Sequence, residues 1–414
     1  MNESNWAGNY RYTATTLHRP SSLDRVQEII ANAPSIGMLG SRHSFSDIAD
    51  SAQLLTLDDL PPDVAVDHVA GTVSFSGGLR YGELAGTLKA EDVALPNLAS
   101  LPHISVAGAV ATASHGSGDA NGNLATAVRA VEIVTSSGEI LEASRGDPDF
   151  DGLVVGLGGL GALTRLTLDV EPSYDVRQRV FERLDWDALF ENFDRITSAG
   201  SSVSVFTHWS EVIDQVWVKS RVTDGRESVR DDLFGAVPAT IDRHPILGLD
   251  PVNCTPQLGV EGLWSDRLPH FRMGFTPSSG LELQSEYLVA RRNAIPAIEE
   301  VWGLAHVVRP VLQVSEIRTV AADTLWMSPQ YGQDAVAIHF TWKPDPEAVE
   351  RVLIDIEDAL APFDARPHWG KVFLADAASI APLYERLPDF IRLANRLDPR
   401  GVFRNPWLNR VLGS

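Results

Sequence analysis

From the N-terminus to Val170, apolar positions come in short runs closed by small-residue turns. Thr72 to Ser76 alternates polar with apolar at Val73 and Phe75, which predicts a strand. After Gly77-Gly78, Tyr81, Leu84, Ala85 and Leu88 fall at the spacing of one helix face. Val128 to Val134, the turn Ser136-Ser137-Gly138 and Glu139 to Ala143 predict a hairpin, and Leu166, Leu168 and Val170 alternate to close this half. Strands mixed with too few helices for one per strand point to an α+β arrangement or a mixed sheet.

Around Glu171-Pro172-Ser173 the pattern changes. Tryptophans become frequent (Trp186, Trp209, Trp217, Trp264), and longer strand and helix patterns alternate. Val203 to Phe206 and Val216 to Lys219 predict strands, Pro346 to Leu360 predicts an amphipathic helix, and Val222 to Asp266 is loop-rich and acidic. No internal repeat or low-complexity tract is present. The expected division is therefore near residue 175, with 1–175 as a first domain.

Composition narrows the function. With 414 residues, 44% of them hydrophobic, the chain can bury a large core. Lys plus Arg is 34 against 55 Asp plus Glu, a formal charge of −21, which argues against nucleic acid or an anionic membrane as partner. A single cysteine excludes a disulfide framework, a CxxC pair and a multi-Cys zinc site. No apolar run is long enough to span a membrane, and Met1 to Tyr10 does not read as a signal peptide, so the expectation is a cytoplasmic enzyme acting on a small molecule.

Three glycine-bearing segments are candidate ligand loops. Gly156-Leu-Gly158-Gly-Leu-Gly161 fits G-x-G-x-x-G, but Ala162 to Leu168 after it alternates like a strand, where a nicotinamide site needs a helix. A tight turn is the better reading, with contact to some other cofactor left open. Gly37 to Phe45 places a small-residue turn after a short apolar strand, and His103 to Gly118 holds almost nothing larger than valine. Such backbone can approach an anion closely, or it can simply be a packed Gly/Ala loop. His103 and His115 show no carboxylate or thiolate company in the sequence, so no metal is expected. There is no GxSxG and no HExxH.

Later residues add polar chemistry. Glu316 and Arg318, two apart on an apparent strand, project from one face and suit either a polar site or an ordinary ion pair. Ala335 to Trp342 has a large apolar face (Val336, Ile338, Phe340, Trp342) and a small polar one (Ala337, His339, Thr341). That second face suits the roof of a polar-ligand pocket or a half-exposed strand. Cys254 reads as a buried structural thiol.

Five segments in order, Asn5-Trp-Ala-Gly-Asn9, Gly40-Ser-Arg-His-Ser-Phe45, Leu101-Pro-His-Ile-Ser-Val-Ala-Gly108, Ser315-Glu-Ile-Arg318 and His368-Trp-Gly-Lys371, together resemble the alditol oxidases. These are FAD flavoproteins of the vanillyl-alcohol-oxidase type, and the resemblance runs from about residue 5 to Gly401.

The resemblance implies a two-domain α+β fold: a PCMH-type FAD-binding domain (1–175), a substrate domain on a large antiparallel sheet (176–375), and a tail (376–414) that returns to the FAD domain. It implies FAD bound covalently at His43 through the flavin 8α position. Gly40, Ser41, Arg42, Ser44, Ser105, Gly108, Thr112, His115, Gly116 and Ser117 would hold the cofactor, with Gly161 and His368 beside it. Ser105, Glu316, Arg318, Thr341 and Lys371 match the family's polyol-binding residues, with Lys371, Arg318 and Glu316 carrying the chemistry and His339 a weaker candidate. The implied reaction oxidises C1 of a linear polyol such as xylitol or sorbitol to the aldose, with O2 reduced to H2O2, in a monomer needing no other partner. The nearest alternative is an aldonolactone oxidase or dehydrogenase. A non-enzymatic carbohydrate-binding protein and a nicotinamide dehydrogenase lie further off.

Overall fold

A computed structural model describes residues 4–222, 232–274 and 282–413. Among the described residues the N-terminal part holds two larger sheets and a short pairing of Val93–Ala94 with Glu171–Pro172. Thr16–His18, Gln53–Leu55 and Gly37–Met38 form a small parallel one. Ala65–Asp67, Thr72–Ser76, Ala162–Asp169, Val128–Val134 and Ile140–Ser144 form an antiparallel one in that order. Both the 128–144 hairpin and the strand that follows Gly161 form as the alternation predicts. Along Ala162–Asp169 every second residue is buried, so one face packs on the core. The helix Tyr81–Ala90 buries Tyr81, Leu84, Ala85 and Leu88.

The second part is a nine-stranded sheet. Its central strands, Ser202–Thr207, Leu312–Val320, Ala335–Trp342 and Leu283–Ala290, pair antiparallel in that order. Ala335–Trp342 is buried throughout, which removes the half-exposed reading. On its apolar face Phe340 stacks on Trp342 at 4.9 Å, and Trp342 Nε1 donates to Ser285 Oγ. Tyr287, on that same face of its strand, donates to Glu357 of the helix Pro346–Leu360. One side of the sheet is thereby sealed by helices, and the polar side is left for a ligand.

The described part of the acidic 222–266 segment carries only short strands and 3-10 turns; residues 223–231 lie outside the described residues. Cys254 is buried beside Val180, Phe206, Trp217 and Val314, and burial pushes its thiol up to about 12. The C-terminal residues bond to the N-terminal layer. Asn405 Nδ2 donates to the carbonyls of Ile48 and Asp50, and Ile36 N donates to Val402 O. Among the described residues no helix is long and apolar enough to cross a membrane.

Candidate active site

A cavity of about 680 Å³ lies between the polar face of the large sheet and the N-terminal loops. Its loop side offers backbone and hydroxyls: Gly40 to Phe45, Ser105, Gly108, Thr112, Ser114, Gly156 to Gly158, Leu160 and Gly161 line it. Ser41 and Ser105 clasp the first two segments together: Ser41 N donates to Ser105 Oγ (3.3 Å), and Ser105 N donates to Ser41 Oγ (2.8 Å). A Cβ on Gly40 would lie 2.4 Å from Ser105 Oγ, so the clasp needs glycine there. The turn at 156–161 holds Leu157 at φ 52° and Gly158 at φ 75°. A Cβ on Gly158 would meet nothing within 4 Å, so the bare backbone leaves open space along the wall. The tight-turn reading holds, and the turn also faces the ligand space. The 103–118 segment is more ordered than its composition suggests, since Val106–Ala111 is helical.

His43 lines this wall, stacked on Trp6 at 5.2 Å, with Nδ1 bonded to Ser41 O at 3.0 Å. Burial lowers its pKa to about 4, so the imidazole is neutral and keeps a lone pair. Gly116 and Ser117 are not brought to the cavity. Gly116 packs under Leu98 O and Asn97, and Ser117 Oγ bonds Ser202 Oγ at 2.6 Å, both tied into the wall's support.

The sheet side carries the charge. Register puts Glu286, His339 and Glu316 directly opposite one another on three neighbouring strands. In the next row Arg318 faces Ala337, whose small side chain lets the guanidinium reach over to Glu286 Oε1 at 2.6 Å. Lys371, on the loop that follows the edge strand Arg366–Pro367, brings Nζ to 2.6 Å from both Glu286 Oε2 and His339 Nδ1. His339 Nε2 lies 3.1 Å from Thr341 Oγ1, and His270 Nε2 is 2.9 Å from Glu316 Oε1. The same loop joins the two halves: Phe45 N donates to Gly370 O, and Val372 N to Gln284 O.

Burial opposes ionisation of Glu286, but Lys371 and Arg318 outweigh it and hold the carboxyl well below the usual range. Glu316 is treated alike by burial against Arg318 and His270. Burial lowers the Lys371 pKa, with Glu286 opposing. Sequence reasoning brought Ser105, Glu316, Arg318, Thr341, Lys371, His115 and His368 to one cavity but missed Glu286 and His270. Glu286 is a lone carboxylate in the run Leu283-Gln-Ser-Glu-Tyr-Leu-Val, and nothing in that run marks it as a site residue.

His115, Glu286 and His368 place ligand atoms within 4.8 Å of one another, so His115 does have a carboxylate neighbour, at 3.4 Å. Both oxygens of that carboxylate already face cations, a setting that repels a metal ion. Among the described residues the buried Nε atom of Arg318 has no hydrogen-bond partner, leaving a donor for a ligand here.

Buried histidines shape the acid response. Burial first, then nearby cations, hold His270 and His339 down to about 4 and His368 well below 6.5. An unfolded chain binds protons at these residues from about pH 6.5 downwards while the native one does not. Stability is therefore full above 6.5 and falls as pH drops towards 4, by up to ~1.4 kcal/mol per pH unit per histidine. Denaturant midpoints measured across that window check this, and a flat profile contradicts it.

Residues 15–144 match the family model "FAD binding domain", and 283–411 match "D-arabinono-1,4-lactone oxidase". The chain is 48% identical to alditol oxidase of Streptomyces sp. (strain IKD472 / FERM P-14339), over 99% of this chain and 98% of that one. It is 28% identical to L-gulono-1,4-lactone dehydrogenase of Mycobacterium tuberculosis, over 99% of each. In fold it is similar to cholesterol oxidase from B. sterolicum, with a TM-score of 0.79 at 16% identity, covering 99% of this chain and 96% of that one.

Proposed function

Because the chain belongs to the alditol oxidase family of FAD-dependent flavoproteins, we propose that it oxidises the C1 primary alcohol of a linear polyol such as xylitol or sorbitol. The product is the aldose, and O2 is reduced to H2O2. The observation that carries this reading is the polar row of Glu286, His339 and Glu316, with Arg318, Thr341 and Lys371, on a cavity whose other wall is bare backbone and hydroxyl groups.

The cavity fits FAD by its donor set: Ser41, Ser44, Ser105 and Thr112 hydroxyls and close backbone suit phosphate and ribityl oxygens without a basic cluster. When bound, FAD supplies the hydride acceptor. The protein's residues do the rest. Lys371 and Arg318 present N–H donors to the substrate oxygen that gains negative charge. Glu316, held ionised, accepts a hydrogen bond from a substrate hydroxyl, and Thr341 offers a hydroxyl beside it. Ser105 lies on the loop wall opposite.

His43 supports a covalent tether, since its neutral ring retains a nucleophilic nitrogen at the cavity wall. After acid precipitation of wild-type protein the yellow colour is expected to stay with the pellet. In His43→Ala it is expected to wash out. A pellet of His43→Ala that stays yellow contradicts the tether.

A second reading has one specific observation behind it, the match of 283–411 to the lactone oxidase model. Parallel rates on xylitol, sorbitol and gulono-1,4-lactone, with peroxide detection, decide between them. Faster turnover of the polyols is expected. Turnover confined to the lactone overturns the proposal.

A further inference from the structure

Behind Glu316 lies a buried pair that the reaction outlined above leaves unused. Lys219, on the strand Val212–Arg221, is 1% exposed, and its ammonium bonds Leu268 O and His270 Nδ1, the latter at 3.0 Å. His270 turns its other nitrogen to Glu316 Oε1 at 2.9 Å. The imidazole is boxed edge-on by Phe206 at 5.5 Å and Trp217 at 5.3 Å. Its backbone is pinned as well, with His270 N donating to Ser100 O and His270 O accepting from Thr255 N.

Charge assigns the protons along this chain. Glu316 is ionised, so the imidazole atom facing it must carry hydrogen, because a lone pair there would meet a carboxylate. Burial and Lys219 keep His270 neutral, with a pKa of about 4, so its other nitrogen is an acceptor. Lys219 has N–H groups to spare in either protonation state and is the donor that faces it. The carboxylate's second oxygen, Oε2, lies 3.7 Å from Arg318 Nε.

We propose that Lys219 and His270 are positioning residues for Glu316: the lysine fixes the imidazole in its Nε2–H form, and the imidazole pins Oε1 so that Oε2 is presented to a polyol hydroxyl. For its substrate this rests on the polyol oxidase reading above. The hydrogen-bonded chain is independent of it and can be observed directly.

The test uses the FAD-loaded enzyme with ¹⁵N-labelled histidine. In wild type the His270 resonances are expected to report the Nε2–H tautomer. In Lys219→Met the Nδ1 signal is expected to shift as its donor is lost. Steady-state rates on xylitol complete the test. His270→Leu is expected to raise KM or lower kcat/KM by about 10–100-fold, the loss of one hydrogen bond to a charged group. His270→Gln, whose amide can turn one of its two N–H donors to Glu316, is expected to recover most of that. A merely structural role would not give the rescue. Wild-type protein that oxidises no polyol overturns the functional reading, whichever tautomer is seen. Wild-type protein that oxidises polyols while His270 is in the Nδ1–H form overturns this proposal alone. So does a His270→Leu enzyme with wild-type KM and kcat/KM. If Lys219→Met does not fold, the wild-type tautomer and the two His270 variants still decide.

Discussion

Replacing Lys371 with methionine is expected to slow flavin reduction by xylitol about 10²–10³-fold, the usual loss for one donor aimed at developing negative charge. An ammonium has three N–H groups, and two of those on Lys371 are held by Glu286 and His339 at 2.6 Å. Lys371 lines the cavity, and the third is expected to serve the substrate oxygen there. Methionine keeps the length of the side chain and removes both charge and donors. Anaerobic stopped-flow mixing of xylitol with the flavin-loaded variant measures the step directly. Wild-type reduction rates in Lys371→Met remove the lysine from the chemistry.

Glu286→Gln is expected to cost stability as well as rate. The carboxylate is fully buried and answers two buried cations, Arg318 and Lys371. Removing one member of such a group leaves unpaired charge, and the loss is about 3–5 kcal/mol of folding free energy. Lys371 also loses the carboxylate that opposes the lowering of its pKa by burial. Its ammonium therefore gives up its proton at lower pH, and the alkaline limb of kcat for xylitol moves down. Chemical denaturation and a pH–rate profile check the two effects separately. A variant as stable as wild type, with an unmoved alkaline limb, contradicts this role for Glu286.

Local pattern made much of the framework legible. The helices Tyr81–Ala90 and Pro346–Leu360 follow directly from their period, because each buries one face, and the strand Ala335–Trp342 follows from the alternation of a large apolar with a small polar face. The pairing of Glu316 and Arg318 on one sheet face was legible for the same reason. Glu286 was not. A single carboxylate in an alternating strand has the same pattern whether it meets water or two cations, and the partners that decide it come from distant segments. His270 and Lys219 are hidden in the same way, since a loop histidine and a strand lysine acquire meaning only when the sheet brings them to Glu316. Gly116 and Ser117 show the opposite limit. Their small side chains match a ligand loop, but they serve close packing against Leu98, Asn97 and Ser202.

The central claim is that this cavity oxidises a polyol by handing its hydride to bound FAD. Anaerobic addition of xylitol to the purified yellow protein tests it most directly, followed by admission of air and peroxide measurement. The account predicts that the flavin colour bleaches with xylitol or sorbitol and returns in air, with one H2O2 formed for each aldose. Flavin that stays yellow with every polyol and bleaches only with a sugar lactone contradicts it.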